Sequence, residues 1–289
     1  MRFSRARKSN GSRRIFARAL ISLMLVVAVT PTTLMVSSPA VSATASPFSG
    51  VLLFHDSFSG VKGSLPTAGA WTDYSYCSYG GNAAFGQIGC GNDETLDGAG
   101  SLSLPATPTT GSGVRVASKY SYEYGVFSAW IKAPAQDGYW PAFWTVNSPY
   151  TQTSLPVAGE ADAYEEYTHW PTQSWATEHN WTNDGTSPTG SGTLCPATPD
   201  GGPDLSAAFH KYSVAIAPDS VTFYIDSKQC GPVTTPATNP GNEWGFGPSV
   251  TGKNWMILDL AIGGAGNQQP TPTADAAMLV ARVEIRKLP

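Results

Sequence analysis

Apolar and polar positions alternate along this chain in short runs of strand length. The runs cover residues 51–58, 101–104, 113–118, 125–132, 140–146, 160–167, 175–181, 210–216, 220–225, 255–262 and 279–286. They are rich in β-branched and aromatic residues and are bounded by Gly, Pro, Asn and Asp. No window sustains a helical period. Many short strands in a chain with 30 Gly and 23 Pro predict an all-β fold, a β-sandwich of two antiparallel sheets. The stretch 182–208, rich in Thr, Gly, Pro and Ser, reads as a long loop pinned at Cys195.

The first 43 residues follow a different pattern. Arg2, Arg5, Arg7, Lys8, Arg13, Arg14 and Arg18 form a basic region without an acid, residues 19–29 are apolar, and Val41-Ser42-Ala43 offers small residues for cleavage. This is the layout of a secretory signal peptide, with an apolar core too short to span a bilayer. Ser12-Arg13-Arg14-Ile15-Phe16 fits twin-arginine export. Residues 44–50 then form a short leader, and 51–289 a single domain. The expected location is extracellular, with no membrane association after cleavage.

Cleavage there also changes the charge. Seven of the 17 basic side chains lie before Ala43, leaving ten against 21 acidic ones. So acidic a domain has no footprint for nucleic acid. It would repel sulfated or uronate polymers unless cations were concentrated locally. A neutral partner fits best, and a monomer is expected. The four cysteines, Cys77, Cys90, Cys195 and Cys230, are even in number in an exported chain. Two disulfides are therefore expected, and of the three pairings Cys77–Cys90 with Cys195–Cys230 is preferred because each closes a local loop. Their spacing does not suit zinc; no metal or other cofactor is expected.

The candidate chemistry is concentrated in Glu160-Ala161-Asp162-Ala163-Tyr164-Glu165-Glu166. Alternation puts Glu160 and Asp162 on one face of a strand. A β-bulge, one extra residue, would return Glu165 to that face. Three carboxylates on one face raise one another's pKa, so one can stay protonated while another ionises. Glycoside hydrolysis needs such a pair. Inward charges on edge strands also guard against aggregation, so the segment alone does not settle the matter. All nine Trp follow Gly50. Trp140 and Trp144, four apart on a strand, could form one platform for sugar rings, and Trp181 follows the carboxylates closely.

Several segments together resemble glycoside hydrolase family 16. Gly159-Glu160-Ala161-Asp162-Ala163-Tyr164-Glu165 is similar to its bulged Glu-x-Asp-x-x-Glu signature, and Tyr139-Trp140-Pro141-Ala142-Phe143-Trp144 to its Trp-Pro-Ala-x-Trp segment. Residues 124–132, 209–226, 258–264 and 278–286 resemble its remaining strands. The resemblance implies a jelly roll with a concave cleft and retaining endo-hydrolysis. In it Glu160 would be the nucleophile, Glu165 the acid/base and Asp162 the partner between them. His179 would be a hydrogen-bond partner near the cleaved bond. Two departures stand out. Trp130 occupies the place of an Arg that often touches substrate and is expected to bind sugar itself. Ser57 and Ala281 occupy the places of acids that commonly hold a structural calcium, so that site is expected to be weak or absent.

The expected function is hydrolysis of a neutral polysaccharide, most simply a β-1,3-glucan. A neutral β-galactan, as for agarases, is the alternative, which Trp130 favours. A carbohydrate-binding jelly roll without catalysis is the alternative from another class, and the intact carboxylate trio argues against it.

Overall fold

The protein is described by a computed structural model over residues 46–73, 93–109, 113–147, 157–182, 189–195, 202–238, 244–248, 250, 252–263 and 269–289. All of these lie in one unit, Thr44–Pro289. The strands are β1 (Leu52–Asp56), β2 (Trp71–Asp73), β3 (Thr95–Leu96), β4 (Leu102–Ala106), β5 (Val114–Tyr122), β6 (Gly125–Lys132), β7 (Tyr139–Val146) and β8 (Val157–Glu165). They continue with β9 (Ser174–Thr182), β10 (Thr189–Cys195), β11 (His210–Ala217), β12 (Ser220–Ile225), β13 (Lys228–Thr234), β14 (Asn254–Ile262) and β15 (Ala276–Arg286).

Two antiparallel sheets result. The seven-stranded sheet runs β10-β9-β8-β7-β14-β5-β2. The eight-stranded sheet runs β13-β12-β11-β6-β15-β4-β3, with β1 also on β15. β15 can serve three partners because it is long: β4 pairs with its first half and β1 with its last residues, both opposite β6. The β-sandwich expected from the alternation is present.

Alternation builds the core. On β14, Met256, Leu258, Leu260 and Ile262 point between the sheets; on β6, Phe127, Ala129 and Ile131 meet them from the other side. Burying these apolar faces together is the main stabilising term, at about 25 cal/mol per Å² removed from water. β7 and β14 are covered on both faces. Their outward residues Ala142, Trp144, Val146 and Ile257 join Ala117 of β5 and Trp255 in a separate apolar cluster. That cluster floors the outer face of the seven-stranded sheet, next to β8.

The long loop expected over 182–208 is interrupted by β10, which pairs along its whole length with β9. The sequence Thr-Gly-Ser-Gly-Thr-Leu-Cys has no apolar alternation, so its strand character comes from that pairing. β13, with Gly231 and Pro232, has the composition tolerated only at a sheet edge. A disulfide joins Cys195 of β10 to Cys230 of β13. The expected pairing is therefore present, and it clips together the edge strands of the two sheets. The Cys77–Cys90 pair lies outside the described residues.

Candidate active site

The catalytic candidates sit on β8, between β7 and β9. Glu160 pairs with Val146 and His179, and Asp162 with Trp144 and Thr177. The register slips by one residue between Asp162 and Glu165 on both sides, which is the expected bulge. Consecutive residues Ala163 and Tyr164 both enter the core, and Glu165 returns to the outer face with Glu160 and Asp162. Glu166 turns inward instead, where it accepts a hydrogen bond from the Tyr164 hydroxyl at 2.6 Å. The carboxylate run is thus divided three and one by a single inserted residue.

The three outward acids have different surroundings. The Glu165 residue keeps a partial opening to solvent, while its carboxyl is enclosed. That enclosure, with the negative charge of Asp162 next in weight, pushes its pKa up to about 8. His179 and a hydrogen bond from Trp140 Nε1, at 3.1 Å from Glu165 Oε1, pull the other way. Asp162 is pushed well above the usual carboxylate range, by burial first and by the charge of Asp259 second; a side-chain hydrogen bond with Glu160 opposes this. His179 Nε2 lies 3.1 Å from Asp162 Oδ2. Glu160, Asp162 and His179 each present a donor atom within 4.8 Å of the others. They are the same groups that surround Glu160, so a cation there would occupy the candidate nucleophile.

Trp140 and Trp144 share the face of the carboxylates, as expected. Both residues are nearly covered, 8% and 6% exposed. Trp144 Nε1 donates to Asp259 Oδ1 at 2.7 Å, and Arg115 lies 3.4 Å from Asp259 Oδ2 and over the Trp144 ring. Asp259 was not among the expected site residues. Its signal is a lone acid in the apolar run Met256–Ile262 at an outward position. His179 reaches Asp162 as expected. Trp181 sits opposite Ala158 in the register, and its side chain lies outside the described part.

Trp130 requires a correction. Period two places it outward on β6, but β6 belongs to the eight-stranded sheet. Its ring lies under the Arg282 guanidinium at 3.9 Å, with Lys211 at 5.1 Å. It is on the opposite side of the sandwich from Glu160 and cannot line the same groove.

The end of β8 that carries Glu160 is fixed by close packing. Asn147 Oδ1 accepts from Gly159 N at 2.9 Å, and Asn147 Nδ2 donates to Gly245 O at 2.6 Å. Gly245 N donates to Asn180 Oδ1 at 2.6 Å. A Cβ on Gly159 would lie 2.7 Å from Gly245 O, and one on Gly245 would lie 2.6 Å from Gly159 Cα. Only glycine fits on either side.

Comparison with known proteins agrees with this fold. The laminarinase catalytic domain of Thermotoga maritima superposes with a TM-score of 0.67 at 20% identity, covering 82% of this chain and 98% of that one. The endo-β-1,3-glucanase of Pyrococcus furiosus gives 0.66 at 25% identity, covering 82% and 94%. A glucan endo-1,3-beta-glucosidase of Cryptopygus antarcticus is 27% identical over 151 residues, 52% of this chain. The match spans about half the length of that curated relative, 54%. Residues 87–269, which carry the bulged strand and the Trp140/Trp144 pair beside it, match the family described as Glycosyl hydrolases family 16, and the chain belongs to that family.

Proposed function

We propose that the protein is a retaining endo-glycosidase acting on a neutral β-1,3-glucan. The observation that carries this reading is the bulge in β8. It sets Glu160, Asp162 and Glu165 on one face and leaves Glu165 with a pKa of about 8. An acid that keeps its proton at neutral pH beside a carboxylate is the pair that glycoside hydrolysis uses.

Glu160 attacks the anomeric carbon as the glycosidic C–O bond breaks, and the Glu165 proton passes to the leaving oxygen. Glu165, now ionised, takes a proton from water. The water oxygen bonds to the anomeric carbon and the Glu160 ester bond breaks, so that two inversions give retention. Asp162 shares a side-chain hydrogen bond with Glu160 that holds the nucleophile in place, while its Oδ2 faces His179. Trp140 steadies the ionised Glu165 between the two steps.

The choice of β-1,3-glucan is supported by the names of the similar proteins. The galactan alternative leaned on Trp130, which lies on the other sheet, and so loses its sequence argument. We infer export as well, from the basic, apolar and small-residue layout of the first 43 residues. N-terminal sequencing of protein from the medium checks this; a start near residue 44 is expected.

The test of the activity is laminarin hydrolysis followed by NMR of the first-formed anomer and by rate against pH. The β-anomer should form first. Because the acid must be protonated, turnover should fall as pH rises through about 8. In Trp140→Phe, which lacks a hydrogen bond that favours the ionised form, the basic limb should move upward. First formation of the α-anomer, or cleavage of agarose without laminarin, would reject the reading.

A further inference from the structure

The outer face of the eight-stranded sheet carries a charge opposite to that of the domain around it. Of the ten cations beyond Ala43, Lys132, Lys211, Arg282 and Arg286 project from this face, at outward positions of β6, β11 and β15. Two acids lie among them: Glu284, which Arg282 and Arg286 grip at 3.3 and 3.0 Å, and Asp226 opposite Lys211, whose Oδ1 accepts from Lys211 N at 2.9 Å. Lys211, Trp130 and Arg282 form one row across three neighbouring strands. With strands 4.7–4.9 Å apart, the two cations sit about 10 Å apart at the backbone.

The crowding has a cost. Burial lowers the pKa of Lys211, and Arg286 and Arg282 lower it further against the opposing charge of Glu284. Phe48 covers its ammonium at 3.5 Å. Like charges gathered on a flat face, in a domain with twice as many acids as bases, attract anions from outside. At the Lys132 end the face opens into a shallow cavity of about 530 Å³, walled mainly by Ala, Pro134 and Leu279, with Gln136, Ser206 and Asp275 as its other polar groups. Amide, hydroxyl and carboxylate groups there suit sugar hydroxyls.

We propose that this face is a second binding surface, remote from the carboxylate cleft, for an acidic polysaccharide. Arg282 and Arg286 meet its carboxylates, Lys211 beneath Phe48 adds only its field, and the cavity beside Lys132 takes a sugar unit. The combination of cations with a hydroxyl-binding cavity favours a uronate polymer over nucleic acid or an anionic membrane. The Trp130 ring serves as the bed for Arg282 rather than as a sugar platform, since its near face is already occupied. This surface does not depend on the hydrolytic reading of β8.

The experiment is arginine- and lysine-selective labelling of the full chain, read residue by residue by mass spectrometry, with and without polygalacturonate at low salt. Labelling of Arg282 and Lys132 should slow several-fold, while Arg115 on the other sheet is unchanged. Protection should vanish at high salt. An Arg282→Gln/Lys132→Gln variant should bind polygalacturonate about tenfold more weakly with laminarin hydrolysis unaltered, and Arg282→Lys should retain binding. Equal labelling with and without polygalacturonate would overturn the proposal. So would equal protection by neutral laminarin, by duplex DNA or by phosphatidylglycerol vesicles at the same charge concentration.

Discussion

The two outer faces of this sandwich use the same side chain in opposite ways. On the seven-stranded sheet, Trp140 and Trp144 direct their indole N–H groups at Glu165 and Asp259. On the eight-stranded sheet, Trp130 offers its ring face to Arg282 and Lys211. Indole is a donor at its edge and a negative quadrupole on its face. The carboxylates of one sheet engage the edge and the cations of the other engage the face, and Trp144, with Asp259 at its N–H and Arg115 over its ring, uses both. What a tryptophan on an outer face contacts is therefore read from the charges of its sheet, not from its spacing along the strand.

The comparison is broken most directly at Glu160. Glu160→Gln should cut laminarin turnover by more than about a thousandfold with oligosaccharide binding retained. Residual turnover of several per cent would show that the acidic face is not the site of chemistry. Asp162 sharpens the point. If it acts through its hydrogen bond with Glu160, Asp162→Ala should lose about a hundredfold, whereas Asp162→Asn, which keeps a hydrogen-bonding group there, should lose far less. Equal losses in the two variants, measured as kcat, would remove that role.

The link between the faces comes next. The Cys195–Cys230 bridge joins one edge strand from each sheet, so reducing it should cost about 2–4 kcal/mol of stability. Denaturant unfolding of wild type and of a Cys195→Ala/Cys230→Ala variant would show this; coincident transitions would mean the edges hold without it. The smallest effect is expected for Trp130. Trp130→Ala should leave the KM and kcat for laminarin unchanged, whereas Trp144→Ala should raise KM. A matching rise in KM for Trp130→Ala would return Trp130 to the substrate groove.

Much of the fold was legible because period-two alternation is a strong signal where both faces are packed. The run that became β14 holds four core residues in strict alternation. The bulge was legible too, because Glu-x-Asp-x-x-Glu cannot keep three acids on one face without an extra residue. β10 and β13 were not, since Gly, Ser and Pro carry no apolar period and edge strands take their shape from neighbours. The error at Trp130 has a related cause. Alternation tells which residues share a face, but not which of two sheets a strand will join. Asp259 was hidden because an isolated acid in an apolar strand acquires meaning only when Trp144 and Arg115 are placed beside it.

The glycine seam beside Glu160 sets where this protein can be altered. Residues 159 and 245 leave each other no clearance, so a change at one cannot be rescued by a change at the other. Every side chain is larger than the hydrogen it would replace. A library aimed at new specificity should hold both positions constant. Its diversity belongs at sites such as β10, where Gly192 has its nearest neighbours, in Thr177 and Trp175, at 3.5 Å or beyond, and where added bulk would reach the groove before it reached the nucleophile.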